Sequence, residues 1–472
     1  MLKISSENCL KNKHIQLIII VIIGAFLRFW KLGIWSFWID EVLTVLDSKD
    51  ISLSSSPINP IPYLAAKFSA YISNQFLFIF SVSEEWKFRL IFCIAGILSI
   101  LVIYKLGERL YEKKVGILAA LFVSLSNWHI FWSQNTRSYI LTFLFAALTA
   151  WFFYRSFEKD SLLLTLCALF TCLCLILSHL LSVVIVPALA IFSLSLILEE
   201  RNRKRIINLL IFFLPFTIPI FLLLVPQIRN HLFSGWGHNE WGRSPIYIIL
   251  TMVQGVSVPI AITAFISGFI RPKDRPTRFL LFLAGIPLIL LIIASQFQNV
   301  AGYYLFWSTS AYFILSAVVC IQLWGVIGNN KSILLRSLLP ILLIAGLFSQ
   351  DYLYFRYENG GRPKWKQAFN HLKLEKTDND IVVLSEPRMG DFYLSEMENV
   401  YIGELMDDRE EFEERVTSNK NRWWFLVDVA SYNVFDADEK VRSWIRSRCH
   451  IVRTFPAYSR AKDRTIHIFL YE

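Results

Sequence analysis

The sequence predicts an α-helical polytopic membrane protein with a small α/β domain at its C-terminal end. Three observations carry that prediction. Of 472 residues, 55% are hydrophobic and only 18% are charged, and the mean hydropathy is +0.48. The apolar residues gather into runs of about 17–25, the length that crosses a bilayer as a helix. From about residue 355 onward, charged residues become frequent and the apolar runs shrink to strand length. A net charge of +10 invites a nucleic-acid reading. The basic residues, however, sit in short clusters between apolar runs, which suits membrane orientation and leaves no nucleic-acid partner expected.

Taken in order, the apolar runs predict spans near 15–30, 89–106, 115–133, 137–154, 161–178, 181–198, 207–226, 246–270, 279–296, 303–325 and 333–350, about eleven in all. The first run has no small-residue cleavage site and is followed by many others, so it reads as a retained anchor. Lys3, Lys11 and Lys13 precede it, and Arg109, Lys113, Lys114, Arg155, Lys159, Arg201, Arg203, Lys204, Arg205, Arg271, Lys273, Arg275 and Arg278 fall in alternate loops. Basic residues favour the cytoplasmic side, so the N-terminus is expected inside and, after an odd number of spans, the tail outside. The outer face then carries a long first loop (31–88), turns at 133–137 and 297–302, the His179 turn, a loop at 227–245, and the tail.

The chain accordingly divides into a transmembrane domain, 1–352, and a soluble extracytoplasmic α/β domain, 353–472. In the second, Ile381–Leu384, Val400–Ile402, Trp423–Val427 and Ile466–Leu470 read as strands, with helices over Asp407–Val416 and Asp436–Arg448. The seven cysteines show no disulfide or CxxC metal spacing.

Candidate chemistry begins in the first loop, at Trp35-Ser36-Phe37-Trp38-Ile39-Asp40-Glu41. A carboxylate near hydrocarbon costs roughly 2.5–3.5 kcal/mol at the helix centre and less at the interface, and such groups are commonly functional. The pair can serve as helix N-terminal acids following a Ser36 or Asp40 cap. Alternatively, one of them is a catalytic base that accepts a hydroxyl proton beside a lipid site. Adjacent helical residues point about 100° apart, so one carboxylate faces the reaction and the other is structural or binds a cation.

At these residues the sequence resembles the GT-C glycosyltransferases, in particular the protein O-mannosyltransferase and lipid A aminoarabinose transferase branch. An extracytoplasmic Asp-Glu after the first span is that family's hallmark. Asn59-Pro60-Ile61-Pro62-Tyr63 resembles its His/Lys-Pro-Pro-x-Tyr segment, with Asn59 where a basic residue is usual. Trp128-His129-Ile130-Phe131-Trp132-Ser133-Gln134-Asn135-Thr136-Arg137-Ser138-Tyr139 is similar to its His-Ile-x-x-Ser-Gln-Glu-x-Arg-x-Tyr stretch, with Asn135 replacing Glu. Ser178-His179-Leu180 resembles its His-Tyr turn.

The resemblance implies transfer of a sugar from a polyprenyl-phosphate carrier to a protein, lipid or glycan acceptor on the outer face, with inversion. The expected location is the bacterial inner membrane, among its lipids. By motif match, Asp40 is the base and Glu41 its partner, with Asn59, Tyr63, Arg137, Tyr139 and His179 on the substrate. Guanidinium grips phosphate through parallel hydrogen bonds, which favours Arg137. Its alternative role is snorkelling from a helix end, and that of His179 is a satisfied turn histidine. Arg229, His238 and Arg243 join the candidates from the 227–245 loop, while Tyr303 and Tyr304 read as an aromatic belt. No cofactor is expected, and no ligand spacing demands a metal. A transporter or flippase of a lipid-linked substrate is the competing class. It predicts broken helices, acids at mid-membrane depth and repeated halves, whereas here the polar residues cluster at one face.

Overall fold

The computed structural model describes residues 2–49, 59–76, 82–200, 202–217, 244–296, 300–326, 333–394, 399–401, 409–418, 421–430, 440–459 and 462–472. The chain begins with α1 (Leu2–Phe29), passes through two short helices, α2 (Ile39–Lys49) and α3 (Pro60–Phe76), and continues into α4 (Glu84–Leu110). Then come α5 (Lys113–Ser124), α6 (Asn127–Ser133), α7 (Tyr139–Lys159), α8 (Leu162–Ser178), α9 (Ile185–Glu199) and α10 (Arg203–Phe213). After residue 243 follow α11 (Pro245–Val256), α12 (Val258–Ile270), α13 (Arg275–Ala294), α14 (Thr309–Val326) and α15 (Ile333–Arg356).

Among the described residues, six helical segments are long and apolar enough to cross a membrane, or eight if each of two bent pairs is one span. The expectation of eleven is therefore only partly met. Two predicted spans, at 15–30 and 161–178, are shorter apolar helices. The run at 207–226 holds α10 and a 3₁₀ turn, Leu214–Thr217, and its remainder lies outside the described residues.

Two further runs are bent, by 64° between α5 and α6 and by 102° between α11 and α12. Both bends have local causes. Ser126 adopts an extended conformation and accepts the His129 N–H, so it starts a new helix in the middle of an apolar run. Pro259 in the first turn of α12 supplies no N–H to the preceding turn, and Ser257 breaks the ladder with φ at 87°. Hydropathy is blind to either event. Large apolar side chains remain exposed along α1 (Ile18, Ile22, Phe26), α8 (Leu163, Phe170) and α12 (Phe265, Phe269), the surface expected of a multi-pass membrane protein.

Past α15 the chain builds a five-stranded sheet in the order β2-β1-β3-β7-β4, with β1 (Ile381–Leu384), β2 (Asn399–Tyr401), β3 (Trp423–Asp428), β4 (His450–Phe455) and β7 (Ile466–Tyr471). A small hairpin, β5 (Tyr458–Ser459) with β6 (Lys462–Asp463), leaves its edge. Helices α16 (Trp365–Glu375), α17 (Pro387–Tyr393), α18 (Arg409–Ser418) and α19 (Lys440–Arg448) complete the unit. Alternation explains its burial: Trp423, Phe425 and Val427 pack with Val441, Trp444 and Ile445 on one face. On the other face, Trp424 and Leu426 join Trp365, Phe369 and Leu372 in the core shared with the membrane helices. A strand covered on both faces reads as one continuous apolar run, as Trp423–Val427 does.

The sheet unit docks at the end of the bundle where α2 and the start of α4 lie. Glu85 at the start of α4 accepts from Lys366 Nζ at 2.8 Å and from the Tyr393 hydroxyl at 3.1 Å. Ser36 donates to the Pro363 carbonyl at 2.6 Å. At the joint, Gly360 has φ of +63° and faces the Trp35 ring, so an added methyl collides with the indole. Gly360→Ala is expected to lower stability by about 1–3 kcal/mol from overpacking alone, measured as an earlier thermal transition in detergent. An unshifted transition would mean that this joint yields freely.

Candidate active site

The 127–139 stretch organises the site. His129 is anchored below it, with Nδ1 2.7 Å from Arg28 Nη2 and Nε2 2.8 Å from Ser99 Oγ. Gln134 then gathers the loose end of α1: its amide nitrogen donates to the carbonyls of Arg28 at 3.0 Å and Trp30 at 2.8 Å. The last carbonyls of a helix need such outside donors. Tyr354 donates to the Gln134 oxygen at 2.8 Å, which ties in α15. These contacts fix the turn from which Thr136 and Arg137 reach α2.

Glu41, in the first turn of α2, is fully buried. Arg89 grips it with two bonds of 2.8 Å, Nε to Oε1 and Nη2 to Oε2, and Arg362 Nε adds a third at 3.1 Å. The Thr136 N–H donates to Oε1 at 3.0 Å. Arg89 also donates to the carbonyls of Leu32, Trp35 and Ser36, and Arg362 to those of Gly360 and Gln134. Burial pushes the Glu41 carboxyl upward, but the charges of Arg89 and Arg362 and their hydrogen bonds outweigh it and hold it below its ordinary value. One carboxylate thus joins the first loop, α4, the 134–138 turn and the C-terminal unit.

Asp40 has a different environment. It is half-buried, and among the described residues no donor is hydrogen-bonded to its carboxylate. Arg137 lies beside it, donating to Thr44 Oγ1 at 2.9 Å and to the Asp40 carbonyl at 3.3 Å. Burial opposes the Arg137 charge, but the Asp40 carboxylate, with Tyr139, Tyr63 and Tyr303, raises its pKa above the ordinary value. The same charges reach Tyr63, whose hydroxyl burial pushes upward.

His179 closes the cluster, its ring 5.1 Å from Tyr304 and 5.6 Å from Tyr139. Burial and then the Arg137 charge push it down to about 4, so it is a neutral imidazole near pH 7. Tyr303 and Tyr304 therefore belong to this cluster rather than to a simple aromatic belt, because a 3₁₀ turn at Gly302–Ser308 folds them inward.

Several polar atoms here are buried with no hydrogen-bond partner: both amide atoms of Asn135, Thr136 Oγ1, Arg137 Nε, His179 Nδ1 and Asn59 Oδ1. Buried polar groups normally find partners, and a concentration of exceptions marks a place built for an outside polar group. Of the residues singled out from sequence, Asp40, Tyr63, Arg137, Tyr139 and His179 come together, and Asn59 precedes the α3 turn that bears Tyr63. Arg229, His238 and Arg243 lie outside the described residues. Among the described residues, no three His, Cys, Asp or Glu side chains converge as metal donors.

Sequence reasoning missed Arg89 and Arg362. Arg89 carried one usable signal, a lone arginine just inside an apolar span. Arg362 carried none beyond its position after two glycines.

The family described as dolichyl-phosphate-mannose-protein mannosyltransferase matches residues 66–228. No curated protein sequence matches the chain. Among solved structures, ArnT from Cupriavidus metallidurans bound to undecaprenyl phosphate superposes with a TM-score of 0.59 at 13% identity, covering 96% of this chain and 97% of that one. Its apo state gives a TM-score of 0.58 with the same identity and coverage. The archaeal oligosaccharyltransferase AglB from Archaeoglobus fulgidus, in complex with an inhibitory peptide and a dolichol-phosphate, gives 0.59 at 12% identity, over 96% of this chain and 74% of that one. The chain thus shares the fold of ArnT along nearly its whole length, and it matches the dolichyl-phosphate-mannose-protein mannosyltransferase family over residues 66–228.

Proposed function

We propose that the protein is an integral-membrane glycosyltransferase that moves a sugar from a polyprenyl-phosphate carrier to an acceptor hydroxyl on the extracytoplasmic face. One observation carries the reading: a carboxylate, Asp40, without a hydrogen-bond donor stands beside a buried guanidinium, Arg137, whose Nε lacks a partner. Asp40 accepts the acceptor's hydroxyl proton as its oxygen attacks the anomeric carbon. The bond from that carbon to the phosphate oxygen breaks with inversion, and the polyprenyl phosphate leaves with the electron pair. Arg137 meets the charge developing on the phosphate. Tyr63, Tyr139, Asn59 and a neutral His179 donate or accept hydrogen bonds around sugar and phosphate. Glu41 does not touch substrate in this reading. It positions Asp40 by holding α2 in place.

In keeping with the basic residues between spans, the N-terminus is cytoplasmic, and the first loop and residues 353–472 face the outside of a bacterial inner membrane. The similar solved structures support the substrate class, since one is bound to undecaprenyl phosphate and another is in complex with a dolichol-phosphate and an inhibitory peptide. The test reconstitutes the purified protein in vesicles with polyprenyl-phosphate sugars and candidate acceptors. A new glycosidic bond with release of polyprenyl phosphate is the expected product. Movement of the lipid-linked sugar across the bilayer, with no new bond, would replace the enzyme by a flippase.

A further inference from the structure

The C-terminal unit brings a second cation to the site. Arg464 follows β6 at the neck of the β5–β6 hairpin, where its N–H donates to the Ala457 carbonyl at 2.8 Å. Thr465 locks the neck from the other side. Its N–H donates to Asp463 Oδ1 at 2.9 Å, and its hydroxyl accepts from the Ala457 N–H at 3.4 Å. The hairpin seats on the Asn359–Gly361 turn: a methyl added at Gly361, where φ is +72°, would lie 3.3 Å from both Ser459 Oγ and Phe131. The next residue is Arg362, bound to Glu41, the neighbour of Asp40, so the hairpin is held close to the Asp40 cluster.

Within that frame the Arg464 guanidinium is mostly buried, its Nε has no hydrogen-bond partner, and among the described residues no carboxylate lies within ion-pair distance of it. The charges that reach it are those of Asp428, Asp40 and Arg362, while burial pushes its pKa down. Asp428 is turned toward its own strand end, accepting from the Ala430 N–H at 3.3 Å.

A buried guanidinium without an anion is costly. At this cluster the balance is also positive. Glu41 is already engaged by Arg89 and Arg362, which leaves the Asp40 carboxylate to balance the charges of Arg137 and Arg464. Asn59 adds no charge, since it offers only an amide whose oxygen is itself without a partner.

We propose that Arg464, carried on the β5–β6 hairpin, is a second phosphate-binding guanidinium of the site and grips the phosphate of the lipid-linked donor. This rests on the glycosyltransferase reading above. It gives the C-terminal unit a role in donor binding, because the unit must be docked for Arg464 to reach the cleft.

The test titrates detergent-solubilised full-length protein with undecaprenyl phosphate alone, following tryptophan fluorescence, for wild type, Arg464→Gln and Arg464→Lys. Losing charge-assisted bonds to a phosphate should weaken binding about ten- to a hundredfold in Arg464→Gln. Arg464→Lys keeps the charge but not the fork, and should fall between. Melting curves identify any variant that does not fold, and the lysine variant then decides. Lipid affinity equal to wild type in a folded variant overturns the proposal, even if the KM for the acceptor rises, since that places Arg464 on the acceptor. If wild type itself binds no polyprenyl phosphate, the glycosyltransferase reading falls first.

Discussion

Asp40→Asn is expected to slow sugar transfer by about 10²–10⁴-fold, the usual contribution of a positioned general base. The substitution keeps the shape and removes only the capacity to accept a proton. Because the Asp40 carboxylate makes no hydrogen bond or ion pair among the described residues, and its backbone carbonyl keeps its bonds from Thr44 and Arg137, the substitution should leave folding intact and the melting transition in place. Removing a negative charge beside Arg137 also makes the cleft more positive, so affinity for undecaprenyl phosphate should stay equal or tighten. The defect therefore falls on turnover rather than on donor binding. Transfer at the wild-type rate would remove Asp40 from the base role. A variant that loses lipid binding along with turnover would make Asp40 a structural residue instead.

Glu41→Gln should have the opposite signature. Glu41 is bound to Arg89 and Arg362 with all three side chains fully buried, and the amide would leave two guanidiniums without a counter-charge. Breaking a buried ion pair from one side typically costs about 3–5 kcal/mol. The loss should appear as a marked fall in thermal stability, with activity declining in proportion to folded protein.

Acid sensitivity gives an independent reading. The Glu41 carboxyl titrates in the folded chain below its ordinary value of 4.5, so its contribution is complete above that pH. It is lost as pH falls through the folded-state value, since the unfolded chain then binds the proton more readily. Glu41→Gln should abolish that component of the acid-side decline. A melting curve unchanged from wild type at pH 7 would sink this account of the Glu41 clasp.

The two neighbouring acids thus divide by environment, and a linear reading could go only part of the way. It placed both acids on one helix and assigned the base to the first of them. It had no means of finding the partners of the second, because Arg89 is 48 residues away and Arg362 is 321. His129 shows the same limit from the other side. A motif residue by resemblance, it proves to be an anchor between Arg28 and Ser99 rather than part of the cleft. The span count is met only in part, and two of its runs have local breaks. The runs 115–133 and 246–270 are apolar throughout, and what divides them is a serine cap and a proline that hydropathy does not weigh.

By itself, the sequence determined what depends on local composition and order. That includes the long apolar helices, the shift to an α/β unit after them, and Asp40, Tyr63, Arg137, Tyr139 and His179 as candidates. Tertiary structure alone decided which of those groups are free to react and which are already engaged. It also brought Arg362 from the far end of the chain to Glu41 in the first loop. The physical reason is that a charge is defined by the partners around it. Burial makes an unpaired charge expensive, so the fold satisfies Glu41 from three separate segments and leaves the Asp40 carboxylate beside it unengaged.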